Sequence, residues 1–442
     1  MMEQRVYFAS LGCAKNLIDS EQMLCLLDDG GYALEMDPES ADIGVVNTCG
    51  FIESAKSEAI ENILELGELK KAGKMKKIVV TGCLAQRYGE ELMTEMPEID
   101  AIVGTTRFPE IVSVLDRVMA GERFTLIGDR DEPIPELGRV ITTGPSWAYI
   151  KIAEGCDNHC AYCVIPSIRG KFRSRPMEEI VAEAEGLAET GVKELIVVAQ
   201  EITRYGTDLY GKPSLAALLR ELVKIDGIKW IRLHYLYASE VDDELIDTIA
   251  ENKKILRYLD IPIQHINADI LRRMNRRDTP EGIRALFATL RRRLPGVVLR
   301  TSIITGLPGE GEAEFEELCA FLREAKLERA GVFPFSPEEG TPAAEMEHPD
   351  METAQHRAEL ISDIQAQIMD EFNRKRMKKP VRVLAEGYDH AAGCWSGRSY
   401  AESPDVDGRI FFTGKNVTEG DFVTVKITDE YDGELFGETI AQ

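Results

Sequence analysis

Three cysteines stand close together at Cys156, Cys160 and Cys163, in the stretch GCDNHCAYC, with the spacing C-x3-C-x2-C. Thiolates are soft ligands that suit zinc or iron–sulfur clusters. A closed structural metal site takes four protein ligands, and this stretch offers three. A four-iron cluster held by three thiolates keeps one iron without a protein ligand, and that iron can chelate a small molecule. The alternative is a zinc site completed by His159, which lies inside the tight loop. A second set, Cys13, Cys49 and Cys83, is scattered in the sequence, but each member ends an apolar, β-type run: RVYFASLGC, IGVVNTCG and KIVVTGC. Ligands of open α/β sheets bind at the C-terminal edge of the strands, so three cysteines placed there would converge in space. The alternative is three unrelated buried thiols. Cys25, Cys319 and Cys394 read as small buried apolar residues.

The elements that must position these residues follow from patterning. Helical segments such as IDSEQMLCLLDDGG, SEAIENILELGEL and EELMTEM follow the three N-terminal strands. Strands alternating with helices predict a parallel α/β sheet. GDRDEPIPELGR (128–139), rich in Pro and charge, reads as a linker. A second series follows, with candidate strands WAYIKIAEG, ELIVVAQ, KWIRLHYLY, YLDIPIQH, VVLRTSIITG and GVFPFS separated by amphipathic helices. Six such strands suit an open, partial (β/α) barrel with functional loops at the strands' C-terminal ends. The first of these strands leads directly into the C-x3-C-x2-C loop. A long helix, TAQHRAELISDIQAQIMDEFNRKRMKK, closes the series and is expected to break at Pro380. The remainder alternates apolar and polar residues with Gly/Asp turns, as a small antiparallel β-barrel or sandwich would. The expected domains are 1–127, a linker over 128–144, 145–379 and 380–442.

Composition narrows the partners. The chain of 442 residues carries a net charge of -25, which repels bare phosphate backbones and attracts basic partners. Residues 381–442 hold five Lys/Arg and twelve Asp/Glu. Nine cysteines, an odd number, suit metal binding or catalysis in a reducing compartment better than disulfides. The N-terminal stretch lacks a signal-peptide pattern and no apolar run is long enough to span a membrane, so a cytoplasmic chain is expected, by default monomeric. The basic run NRKRMKK (373–379) reads as a solvated helix end, favourable to the helix dipole, with direct RNA contact as a secondary reading. IRGKFRSRP, with Arg169, Arg173 and Arg175, reads either as a solvated loop or as a clamp on anionic groups near the cysteines. His234 and His265 sit at strand ends, where they either line a cavity or pack.

The C-x3-C-x2-C motif, with Tyr162 just before its last cysteine, resembles that of the radical S-adenosylmethionine (SAM) enzymes. The resemblance implies a four-iron cluster on Cys156, Cys160 and Cys163, whose open iron takes the amino and carboxylate groups of SAM. It also implies reductive cleavage of SAM to a 5′-deoxyadenosyl radical, and an external electron donor such as flavodoxin or ferredoxin. Gln200 and Glu201, in VVAQE, match positions that present polar groups to the SAM amine. Gly306, in SIITGLPGE, falls in a stretch similar to a G-x-I-x-G-x-x-G-E pattern near the adenine, with Ser302 in place of the first glycine. The whole plan resembles the methylthiotransferases, in which a C-terminal TRAM domain follows the radical SAM domain. There the N-terminal trio, here Cys13, Cys49 and Cys83, holds a second four-iron cluster. The implied reaction converts C–H to C–S–CH3.

Two branches of that family compete. One acts on tRNA adenosine (isopentenyladenosine). The other acts on the β-carbon of an aspartate in S-twelve, a protein of the small ribosomal subunit. SLGCAKNLIDSE (10–21) is similar to the protein-modifying branch, which shows Leu-Gly-Cys-x-Lys-Asn, rather than the Gly-Cys-Gln-Met-Asn of the tRNA branch. Ala14 departs from the proline common in that stretch. The acidic C-terminal domain also suits a basic ribosomal protein better than RNA. The protein substrate is therefore the expectation.

Overall fold

A computed structural model describes residues 4–440. The chain forms two compact units. The first comprises the described residues up to 142 together with 153–173 and 336–341; the second comprises 143–152, 174–335 and the described residues from 342.

The first unit is built on six parallel strands: β1 (Arg5–Ser10), β2 (Ala33–Glu35), β3 (Ile43–Thr48), β4 (Lys77–Gly82), β5 (Ala101–Val103) and β6 (Phe124–Leu126), in the order β2-β1-β3-β4-β5-β6. Helices α1 (Ala14–Asp29), α2 (Glu53–Lys71), α3 (Cys83–Glu95) and α4 (Ile111–Met119) form the crossovers. Side chains alternate across a strand, and both faces are apolar. Ile78 and Val80 pack with Ile63 and Leu66 of α2, while Val79 packs with Met23 and Leu27 of α1 and Val114 of α4. This double covering explains why IVV and VV runs replace a polar–apolar alternation. The chain crosses from one face to the other beside β1, the switch point at which such sheets open a crevice. The short helix α5 (Ile165–Arg169) also belongs to this unit.

The second unit begins with β7 (Trp147–Lys151), followed by β8 (Glu194–Val198), β9 (Trp230–Leu233), β10 (Ile255–Asp260), β11 (Val298–Thr305) and β12 (Arg329–Pro334). They form an open parallel sheet in sequence order. Crossover helices Met177–Glu189, Leu215–Leu222, Asp243–Glu251, Pro280–Arg293 and Glu312–Ala325 lie between them, and α6 (Met351–Arg374) follows. This is the open (β/α) partial barrel expected from the six strand–helix alternations.

A closed five-stranded barrel completes the unit: β13 (Pro380–Asp389), β14 (Cys394–Arg398), β15 (Ile410–Thr413), β16 (Phe422–Tyr431) and β17 (Glu434–Thr439). Its pairs are antiparallel except β15 with β17. Val383, Ala385, Phe412, Val425 and Ile427 fill it. The β14–β15 connection packs against one face of the open sheet and reaches several of its strands. Tyr149 donates to Asp405 (3.0 Å) and Tyr258 to Asp407 (2.6 Å). Arg232 donates to the Tyr400 carbonyl (2.9 Å), and Arg329 pairs with Glu402 (3.2 Å). His234 shares a hydrogen bond of 2.7 Å with Ser403, and Glu194 accepts from both Arg232 (2.7 Å) and Arg398 (2.8 Å).

Three local expectations change. Helix α6 ends at Arg374 rather than running on to Pro380. The run 373–379 is not uniformly solvated, because Arg376 is buried and pairs with Glu402. Cys25 and Cys394 are half-buried, whereas Cys319 is buried. Among the described residues, no helix is long and apolar enough to cross a membrane.

Candidate functional site

The strands β1, β3 and β4 are neighbours in the first sheet, and Cys13, Cys49 and Cys83 follow their C-terminal ends. The three scattered cysteines therefore meet on one edge. Cys13 is the N-cap of α1 and Cys83 opens α3, so two thiols lie at helix N-termini, where backbone N–H groups and the dipole favour a thiolate. The loops before them are tightly wound. Gly12 has φ 91°, and a β-carbon there would stand 2.6 Å from Cys49 Cβ. Gly82 has φ 94°, and a β-carbon there would stand 2.5 Å from the Thr48 carbonyl. Only glycine reaches this close at these angles.

The thiols influence one another. Burial, with the neighbouring Cys83 and Cys13 charges, pushes Cys49 up to about 12. Burial also pushes Cys83 up, and Arg169 opposes that shift. Cys13 moves the other way. Burial works against its thiolate, but the Lys15 charge, the Asn16 backbone N–H and Arg169 together outweigh it and lower the pKa.

The second trio belongs to the same unit. Cys156, Cys160 and Cys163 are half-buried, as is Tyr162. The loop is pinned at both ends. The Cys156 N–H donates to the Gly170 carbonyl (3.1 Å), the Phe172 N–H to the Asp157 carboxylate (3.1 Å), and the Cys163 N–H to the Cys160 carbonyl (3.0 Å). Gly155, at φ 78°, passes so close to residue 171 that a β-carbon would lie 2.1 Å from the Lys171 carbonyl oxygen. His159 adopts the left-handed conformation (φ 48°) within the turn.

Two observations bring the trios together. Cys83 packs in one apolar cluster with Val164 and Ile168, beside Phe51; Val164 directly follows Cys163. Arg169, at the end of α5, is 2% exposed. Its Nε donates to the Cys83 sulfur (3.4 Å), its Nη1 to Asp19 (2.7 Å) and Glu154 (3.3 Å), and its Nη2 to the Asn16 side-chain oxygen. Asn16 in turn donates to the carbonyls of Leu11 (3.1 Å) and Thr48 (2.8 Å), the turns that carry Cys13 and Cys49. Of the three arginines singled out in IRGKFRSRP, Arg169 is thus buried at the thiols. Arg173 lies 3.6 Å from Asp131, and Arg175 pairs with Glu183 (2.7 Å).

Sequence reading missed Asn16, Asp19 and Glu154. The available signal was spacing: Cys13, Asn16 and Asp19 recur every three residues at the start of a helix and so share a face. Among the described residues, no three Cys, His, Asp or Glu side chains are gathered as tightly as one metal ion requires. A four-iron cluster is larger and needs its thiolates spread round several corners. Three coupled thiols, two helix N-termini and a buried guanidinium fit such an anionic, thiolate-bound group.

The remaining candidates lie in the second unit. Glu201 is buried and accepts from the Thr203 hydroxyl and the Arg204 N–H (3.1 Å). Burial pushes its carboxyl up, against those hydrogen bonds. Gln200, its half-buried neighbour, follows the end of β8. Gly306, at φ 76°, donates to Glu310 (2.9 Å), and a β-carbon there would meet Ala354 Cβ at 2.4 Å. His265 Nε2 faces Glu310 at 3.3 Å, and both are fully buried. His265 and His234 are therefore packed and paired groups.

Comparison with known proteins follows the same division. Residues 5–104 match the family described as Uncharacterized protein family UPF0004, 150–322 the Radical SAM superfamily, and 379–440 the TRAM domain. The chain is 48% identical over 437 residues to the protein of Lachnoclostridium phytofermentans named ribosomal protein uS12 methylthiotransferase RimO, covering 98% of this chain and 99% of that one. It is 49% identical over 444 residues to the protein of that name in Pelotomaculum thermopropionicum, covering 99% of each. Among solved structures, the radical S-adenosylmethionine methyltransferase TsrM of Kitasatospora setae, with cobalamin and a 4Fe–4S cluster bound, is similar in fold. Its TM-score is 0.54, at 17% identity over 77% of each chain.

Proposed function

This chain belongs to the RimO family of ribosomal protein uS12 methylthiotransferases, and on that premise we propose how its residues divide the work. It is a radical SAM enzyme that places a methylthio group on the β-carbon of an aspartate of ribosomal protein S-twelve. The cofactors are SAM and two four-iron clusters, one on Cys156, Cys160 and Cys163, the other on Cys13, Cys49 and Cys83. When bound, these groups supply a 5′-deoxyadenosyl radical for hydrogen abstraction, and the sulfur and methyl that replace the hydrogen. Residues 1–127 carry the second cluster, 128–144 link, 145–379 bind SAM, and 380–442 form the TRAM-like domain.

The protein's own part is positioning. The loop from Gly155 to Phe172, which carries the three thiols, is pinned at both ends. Tyr162, Gln200, Glu201 and Gly306 are the SAM contacts of this reading. Glu201 and Gly306 suit it because their local hydrogen bonds fix the turns after β8 and β11. An external donor such as flavodoxin or ferredoxin supplies electrons, and the acidic TRAM-like domain favours a basic protein over RNA. The enzyme works as a cytoplasmic monomer. One observation carries the two-cluster reading: Cys83 packs against Val164, the residue after Cys163.

The test is mass spectrometry on an anaerobic reaction containing the reconstituted protein, SAM, a reductant, a sulfur source, an S-twelve peptide bearing the aspartate, and bacterial tRNA. We expect a methylthio group on the peptide alone. Modification of tRNA alone would overturn the substrate assignment, and Cys49→Ala should spare 5′-deoxyadenosine formation while stopping methylthiolation.

A further inference from the structure

We propose that Arg169 is a positioning residue that couples the two cysteine trios. Its guanidinium holds the charge of the Cys83 sulfur and makes the group bound there easier to reduce, while its seat in α5 ties that sulfur to the Cys156–Cys163 loop. The proposal rests on the two-cluster reading above.

The geometry separates this role from ordinary ion pairing. Arg169 receives acceptors from three other stretches of the first unit: Asn16 and Asp19 of α1, Cys83 at the start of α3, and Glu154, two residues before Cys156. A purely structural arginine would give its donors to carboxylates and carbonyls. Here Nε, the nitrogen on the chain side of the guanidinium, goes to sulfur. Phe51, Val164 and Ile168 pack with Cys83, and a buried setting strengthens a charge–sulfur contact. Adding one electron to a thiolate-bound cluster adds one negative charge. A fixed cation that donates to one of the thiolates stabilises that state and raises the potential. Asp19 and Glu154 partly neutralise the same cation, so they oppose the effect. Lysine has one charged point in place of a planar fork and cannot serve all four acceptors.

The test uses the full chain carrying Cys160→Ala, so that only the N-terminal trio can hold a cluster, reconstituted anaerobically with iron and sulfide. Titration with dithionite, followed by electron paramagnetic resonance, reads the one-electron midpoint. Arg169→Gln should make reduction at least tenfold less favourable, about 59 mV for one electron, with Arg169→Lys between the two. Asp19→Asn removes a competing acceptor and should move the midpoint the opposite way. An unchanged midpoint in Arg169→Gln at full iron content would overturn the proposal. Should Arg169→Gln lose its iron, Asp19→Asn decides, and no positive shift there also overturns it. If the Cys160→Ala chain with Arg169 intact binds no cluster, or keeps it when Cys49→Ala is added, the two-cluster reading itself has failed, and the proposal with it.

Discussion

At the scale of single residues, the three N-terminal thiols are chemically unequal although their sequence contexts look alike. Cys13 sits at the helix cap beside Lys15 and its thiolate is favoured, whereas burial, with the charges of the other two thiols, pushes Cys49 up to about 12. Only the thiolate reacts with an alkylating agent. In the iron-free protein we therefore expect iodoacetamide to label Cys13 at a pH below the ordinary thiol value of 9.0. Cys49 should resist until the solution approaches pH 12. Peptide mapping across a pH series checks this, and equal labelling of the two at neutral pH would contradict the arrangement. Lys15 and the N-cap position could be read in CAKN, but the crowding of Cys49 could not. It arises from strands β3 and β4 lying side by side, a contact between residues 34 positions apart.

At the scale of elements, the β14–β15 connection carries a buried carboxylate, Glu402, between two arginines. Glu402 is buried, which alone would raise its pKa. The charges of Arg376 and Arg329, with the Ser399 hydroxyl, overcome burial and hold it at about 2, against 4.5 for a free carboxyl. A carboxylate lowered on folding contributes stability that is fully present above its unfolded value and is lost as pH falls through the folded one. The window here runs from about 4.5 down to about 2, and the shift corresponds to about 3 kcal/mol. Glu402→Gln should therefore lower the unfolding free energy at pH 7 by the amount expected when one partner of a buried pair is removed, about 3–5 kcal/mol, and the urea midpoint with it. The gap between variant and parent should narrow as pH is lowered from 4.5 towards 2. A gap that stayed constant over that range, followed by urea unfolding, would show that Glu402 does not hold the connection through its charge. In the sequence Glu402 is one of the twelve acids of residues 381–442, and nothing in its neighbours marks it for burial.

At the scale of the whole molecule, the net charge of -25 and the acidic C-terminal stretch add to the SLGCAKNLIDSE resemblance as signals for a basic protein partner. The structure redistributes that charge without reversing it. Arg398 is buried among Glu194 and Glu386, and Glu402 is committed to Arg376 and Arg329, so internal pairing consumes bases as well as acids. Long-range attraction between such a surface and a basic protein speeds association and is screened by salt. We expect the association rate with purified S-twelve to fall by about tenfold or more between low and high ionic strength, with dissociation changing less. Stopped-flow measurement over a salt series would show it, and a rate indifferent to salt would remove charge from the account of partner choice.

What could be read from residue order was local or periodic. The cysteine spacings, the three β-runs that end in cysteine, the strand–helix alternation and the acidic β-rich end each depend on a few consecutive residues or on a simple repeat, and neighbouring residues constrain each other through the backbone itself. The decisive features of the site are contacts across long loops. Arg169 meets Cys83, 86 positions away, and Asn16, 153 positions away. Tyr149 meets Asp405 across 256. No periodicity encodes such pairs, because they exist only once strand order and the faces of the sheets have been settled by packing. An arginine in IRGKFRSRP is equally at home in water or among buried carboxylates. Its place in the chain allowed both, and the closing of α5 over the thiols chose burial, since a dry pocket already lined by Asp19, Glu154 and Cys83 requires a cation to balance it.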